Sequence, residues 1–391
     1  MPNLKSNKHN KPKRNRLGLY AHTVAAMTCR VQENPRETAD RIRWLTNFRK
    51  PRLWVSLCAA LLVIVLAVLC LSGRKAVTPM PPAADMNLET QAAQVAVPTP
   101  YTGQIGFLMV GTDGRADRAP MQTAVMSDLI AYVSWDCDTG KVEILQIPAR
   151  LYVGMEYALA DGTTYTTMNE AVNSLAANNA VGLEALCRTV ENMLALPVAG
   201  YVSIDMDGLT EIVDYVGGIE VNLPRKLEYA GSSLPQGSYL LNGDSVEFLM
   251  CNRKGEGYDY GELDRMEMQR CFYAGVLRYV QTCTPVDAAK LIPVLLNHMQ
   301  TTFDADTMIR LLTSMEGVRA EDVTFSQLPV YPGATTPDGN SCAVGDPDAT
   351  AALLNAKFRA GQEIPAASLR LASLTYDGPL LSGKSEALNG L

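Results

Sequence analysis

Apolar runs of five to eight residues alternate with longer stretches of helical spacing over most of the chain. "IGFLMV" (105–110), "LIAYVSW" (129–135) and "KVEILQIP" (141–148) are short, nearly continuous apolar runs that predict buried strands. The last two flank Asp-Cys-Asp-Thr-Gly, which suits a hairpin turn. Helical spacing follows around 169–179 and 182–195, then a strand at 200–205, a helix at 208–218 closed by two glycines, and a strand at 219–224. Asn242 stands where a helix cap is expected. From 263 onward helices dominate the pattern, with Met268, Phe272, Val276 and Tyr279 on one face, a late strand at 323–328 and a helix at 347–359. This alternation predicts an α/β fold, a mixed central β-sheet with helices on both faces. It fills 103–362, and 363–391 reads as a C-terminal tail.

One run breaks the pattern. "LWVSLCAALLVIVLAVLCLS" (53–72) is apolar on every face and carries no charge. As a helix it reaches roughly 30 Å, the hydrocarbon thickness of a bilayer, so a transmembrane helix is expected there. Charge then sets its direction. Residues 1–52 hold thirteen Lys/Arg against three Asp/Glu, and the rest of the chain holds 21 against 38. The basic tail at 1–52 is expected in the cytoplasm, and everything beyond the span outside it, in a single-pass cell-membrane protein. Residues 73–102, rich in Pro and Ala, form a linker. The acidic outer domain argues against nucleic acid as a partner. Six of the nine cysteines follow the span, at irregular spacings that match no zinc pattern. They read as mostly buried thiols, with a disulfide open.

Chemistry gathers on loops at strand ends. "GTDGRADR" offers Asp113, Arg115 and Arg118, "MSDLIAYV" offers Asp128, and "IPARLYV" offers Arg150. Asp113 and Asp128 bracket one loop, so the two carboxylates can converge on a hard cation such as Mg²⁺. "MCNRKGEGYDYGELDRMEMQR" (250–270) places Arg253 and Lys254 in a glycine-bearing loop that leads into a helix carrying Arg265, a suitable seat for an anion. Read singly, Asp128 is also a good cap and Asp113 a good turn residue. No Ser-His-Asp or metal-histidine motif is visible: His9 and His22 fall in the basic tail, and His298 sits in a helical run as a structural residue.

In order and spacing, "FLMVGTDGR", "SDLIAYVSWDCDTGKVEILQIPARLYV", "YVSIDMDGLTEIVDYVGGIEVNLP" and the 250–270 segment resemble the LytR-CpsA-Psr family of membrane-anchored cell-envelope proteins. The resemblance spans about 105–282 and continues more faintly to 360. It implies a phosphotransferase that moves a phosphoglycan from an undecaprenyl-pyrophosphate carrier to a peptidoglycan acceptor. Asp113 and Asp128 would then hold Mg²⁺ or take a hydroxyl proton, and Arg115, Arg253 and Arg265 would face phosphate. The chain departs from the family pattern at Met126, Ala149, Cys251 and Glu262, where guanidinium groups are expected. Arg150, Arg118 and Lys254 are the cations placed to compensate, whereas Glu262 would repel a diphosphate. The alternative is a non-catalytic relative that binds polyprenyl-phosphate lipid or glycan, or partners another envelope enzyme.

Overall fold

The computed structural model describes residues 101–115, 125–154, 166–173, 179–282, 294–295, 297–315, 318–359, 361–382, 385–388 and 391. The basic tail, the expected span at 53–72 and the linker lie outside them, as does Arg118. Among the described residues no helix is long and apolar enough to cross a membrane.

In chain order the strands and helices are β1 (Gln104–Thr112), β2 (Ser127–Asp136), β3 (Lys141–Gln146), α1 (Met168–Asn173), α2 (Asn179–Leu194), β4 (Tyr201–Asp205), α3 (Met206–Tyr215), β5 (Ile219–Leu223), β6 (Leu227–Tyr229), β7 (Ser232–Leu234) and β8 (Gly237–Leu241). They continue with α4 (Gly243–Cys251), α5 (Glu262–Thr282), β9 (Met299–Thr301), α6 (Ala305–Ser314), β10 (Val323–Gln327), β11 (Val330–Thr335), β12 (Ser341–Gly345), α7 (Pro347–Lys357), β13 (Tyr376–Asp377) and β14 (Glu386–Ala387). Seven strands form the main sheet in the order β14-β10-β3-β2-β1-β4-β9. The sheet is mixed as expected: β1 runs parallel to β4 and β3 to β10, while β2 lies antiparallel to both β1 and β3.

Helices cover both faces because the central strands are apolar on both. Ile130 and Tyr132 of β2 join one core, with Leu186 and Val190 of α2 and Leu354 of α7. Leu129, Ala131, Val133 and Trp135 of the same strand join the other, with Val213 of α3, Leu249 of α4 and Phe272 of α5. A strand buried on both sides cannot alternate apolar and polar residues, so β2 reads as a continuous apolar run. Local signals fix the helix ends. Asn242 Oδ1 accepts the Ser245 amide at 2.9 Å while Ser245 Oγ accepts the Asn242 amide at 2.7 Å, a reciprocal cap on α4.

The region after 320 differs from the helix-dominated expectation. β11, β12 and β13 form a small separate sheet, and β14 adds an edge strand to the main one. The stretch set apart as a tail, 363–391, thus supplies both β13 and β14, and Glu386 pairs with Arg270 at 3.1 Å. The described cysteines, 137, 187, 251, 271 and 342, are all free thiols, two of them buried and three partly so.

Candidate functional site

The strand directions place the C-terminal ends of β1, β3, β4 and β10 and the start of β2 along one sheet edge. Ligands of open α/β sheets bind outside such an edge. Asp113 follows β1, Asp128 lies in β2, Ala149 and Arg150 follow β3, and Asp205 ends β4.

Asp113 is fixed against the strand opposite. Its amide donates to the Met126 carbonyl at 3.0 Å, and its Oδ1 accepts the Met126 amide at 2.7 Å. The ladder pairs Gly111 with Leu129 and then Thr112 with Ser127, which leaves Asp128 as the extra residue of a bulge. Bulges redirect the side chain they carry, and Asp128 meets α5. That helix begins across the sheet edge: Leu263 and Met266 belong to one core, Met268, Cys271 and Phe272 to the other.

Between those cores Arg265 is fully buried. It donates through Nη1 to Asp128 Oδ1 at 2.9 Å, and through Nη2 to the Asp128 carbonyl at 2.8 Å and to Glu262 Oε1 at 3.3 Å. Glu262 Oε1 also accepts the Ala149 amide at 2.7 Å. Glu262 lies in the first turn of α5, where a carboxylate is favoured. The acid expected to repel an anion is therefore paired, sharing Arg265 with Asp128, and two family guanidinium positions, 149 and 262, are closed onto one another.

Arg115 is nearly buried and pairs with Glu247 of α4. Cys251, one turn further along α4, is charge-coupled to Asp128, Arg265, Glu247 and Arg115, and its thiol is pushed up to about 11, mainly by burial and then by the Asp128 charge. The edge thus gathers four carboxylates (Asp113, Asp128, Glu247, Glu262) around two guanidiniums (Arg115, Arg265), and both guanidiniums have carboxylate partners within the protein.

The other expected cations are placed differently. Arg253 and Lys254 are exposed on the loop after α4, with the Lys254 backbone held by Asn252. Arg150 lies in a turn, but its guanidinium donates to the Ser341 carbonyl of β12 at 3.0 and 2.6 Å. His298 ties the start of α3: Nδ1 lies 2.8 Å from Asp205 Oδ1 and Nε2 3.4 Å from Glu211 Oε2. Glu247 was not singled out from the sequence. Its position one helical turn before Cys251 on a capped helix was the available signal.

No three His, Cys, Asp or Glu residues converge to hold a metal among the described residues, so a cage built from protein ligands alone does not fit. Asp113 and Asp128, on adjoining strand ends, fit the donor set of Mg²⁺, which takes one or two carboxylates and completes its shell with water and phosphate oxygens.

Comparison with known proteins bears on this edge. The LytR_cpsA_psr family model matches residues 77–359. A polyisoprenyl-teichoic acid–peptidoglycan teichoic acid transferase, TagU, of Oceanobacillus iheyensis is 26% identical over 222 residues, 56% of this chain and 66% of that protein. The Bacillus subtilis protein of the same name is 26% identical over 195 residues, 49% of this chain and 60% of that one. The chain thus spans less than two thirds of these curated relatives. The B. subtilis TagV crystal structure shares the fold at a TM-score of 0.52 and 17% identity, covering 68% of this chain and all of that one.

Proposed function

The chain belongs to the LytR_cpsA_psr family, and from that premise we propose that it transfers a phosphate-linked glycopolymer from a polyprenyl-pyrophosphate carrier, undecaprenyl in the form expected above, to peptidoglycan. The observation that carries this reading is the convergence of Asp113, Asp128, Arg115 and Arg265 at one sheet edge. An acceptor hydroxyl oxygen attacks phosphorus, its bond to the carrier phosphate breaks, and the hydroxyl proton passes to one of the two aspartates. Arg115 offsets charge on the phosphoryl oxygens, while the buried Arg265 holds Asp128 in position. A Mg²⁺ held by Asp113 and Asp128 would supply further neutralisation of the phosphate groups. The span at 53–72 would anchor the domain on the outer side of the membrane, where a lipid carrier presents its head group.

The test is transfer itself. Full-length protein is incubated with a fluorescent polyprenyl-pyrophosphate glycan and peptidoglycan, with Asp128→Asn alongside. Label should enter peptidoglycan, and the variant should lose roughly a hundredfold in rate. One observation favours the second reading, a carrier-binding or partner protein: both guanidiniums are already paired to carboxylates, and the four acids outnumber them. Carrier binding without label transfer would establish that reading instead.

A further inference from the structure

Helix α5 has a second polar face. Arg265 meets Asp128 at the sheet edge and Gln269 the Met250 carbonyl of α4, whereas Asp264, Glu267 and Arg270 line a separate cleft of about 370 Å³ between α5 and the C-terminal segment. At about 100° per residue the two sets lie on opposite sides of the helix. No group of the cleft takes part in the transfer described above.

Its electrostatics favour a cation. Asp264 and Glu267 share Arg225 at 3.2 and 2.9 Å, and Glu386 pairs with Arg270 at 3.1 Å. Three carboxylates thus face two guanidiniums. Burial pushes the Asp264 carboxyl up, and the neighbouring Glu267 and Asp259 charges push it the same way.

Gln327 adds an independent observation. It lines the cleft at the end of β10 and is 6% exposed, yet its carboxamide has no hydrogen-bond partner among the described residues. In Gln146, its partner on β3, both side-chain polar atoms are bonded: the amide nitrogen donates to the Met266 carbonyl at 2.9 Å and the oxygen accepts Arg270 Nε at 2.6 Å. The Gln327 carboxamide atoms are not sealed from solvent, so they open into the cleft and can meet a ligand. The carboxamide also has the donor and acceptor complement of a peptide bond. Leu263, Leu380 and Leu381 line the remaining wall and suit a methylene stem, with Tyr260 at the mouth.

We propose that this cleft binds an amine-bearing peptide, with the Gln327 carboxamide on a backbone amide and an alkylammonium group among Asp264, Glu267 and Glu386. The site goes beyond glycopolymer transfer and does not depend on it.

The test measures binding directly, with no turnover step. Full-length protein is titrated by calorimetry with N-acetyl-Ala-Lys-Ala-amide and with the same peptide carrying norleucine or Nε-acetyl-lysine in place of lysine. Saturable binding of the lysine peptide is expected, at least tenfold tighter than either neutral peptide. Gln327→Leu and Glu267→Gln should each weaken it about five- to tenfold, with unchanged circular dichroism and carrier binding. Equal affinity for the norleucine peptide, absence of lysine-peptide binding up to 10 mM (about the weakest affinity worth the name for such a site), or unchanged affinity in Gln327→Leu would overturn the proposal.

Discussion

Arg265→Met isolates the ion pair at the centre of the sheet edge. Methionine roughly conserves volume and helix propensity, so the loss is chiefly that of the guanidinium. Three contacts disappear: 2.9 Å to Asp128 Oδ1, 2.8 Å to its carbonyl and 3.3 Å to Glu262. Removing one member of a buried pair costs about 3–5 kcal/mol. The Asp128 and Glu262 side chains are 23% and 12% exposed and can recover water, and Glu262 keeps its bond to the Ala149 amide. The low end, about 3 kcal/mol, is therefore expected. At roughly 2–4 °C per kcal/mol for a domain of this size, the Tm should fall by about 6–12 °C. Thermal and urea unfolding followed by circular dichroism measure it. Pairing Arg265→Met with Asp128→Ala in a double-mutant cycle should show a coupling of at least about 1 kcal/mol. A loss below about 1 kcal/mol, or strict additivity, would refute the view that Arg265 is held by these acids.

Other expectations follow from the same geometry. Arg150→Ala should leave carrier affinity within about twofold in a binding titration, because its guanidinium serves the Ser341 carbonyl; a tenfold loss would return Arg150 to the site. Gly275→Ala should destabilise by about 1–3 kcal/mol in urea unfolding, since a Cβ there would lie 2.4 Å from the Glu220 carbonyl oxygen and 2.7 Å from Ile219 Cγ2, which outweighs the helix gain of alanine. Burial holds the Cys137, Cys251 and Cys271 thiols up at about 11 and Cys187 at about 12. An unfolded thiol ionises at lower pH, near 9, so unfolding gains thiolate, and stability should fall as pH rises from about 9 towards 11. A urea midpoint that stayed level or rose over that window would contradict this.

Local patterns carried much of the fold because they are local. The apolar runs of β1, β2 and β3 announce buried strands, and Asn242 announces the start of α4. The β6–β7 hairpin is three residues a side, and β14 is two residues long, so neither builds a period to read. Their existence depends on partners distant in the chain, as with Glu386 of β14 opposite Phe325. At the candidate site, the spacing of Asp113 and Asp128 places both at one sheet edge, since both flank one strand connection. What the two carboxylates meet was not legible. The Asp128 bulge and the Arg265 contact, 137 residues apart, arise from tertiary packing. So does the fate of Glu262, whose charge looks repulsive in isolation and is paired with a residue one helical turn away that it shares with Asp128. Arg150 shows the reverse: a cation in a suitable sequence position is drawn off by a backbone carbonyl of another sheet.

The most direct test of the account is binding of a polyprenyl pyrophosphate to the full-length protein, with and without Mg²⁺, beside Asp113→Ala. Saturable binding that requires Mg²⁺ and is lost in the variant is the expected result. Absence of binding by the wild-type protein in both conditions would contradict it.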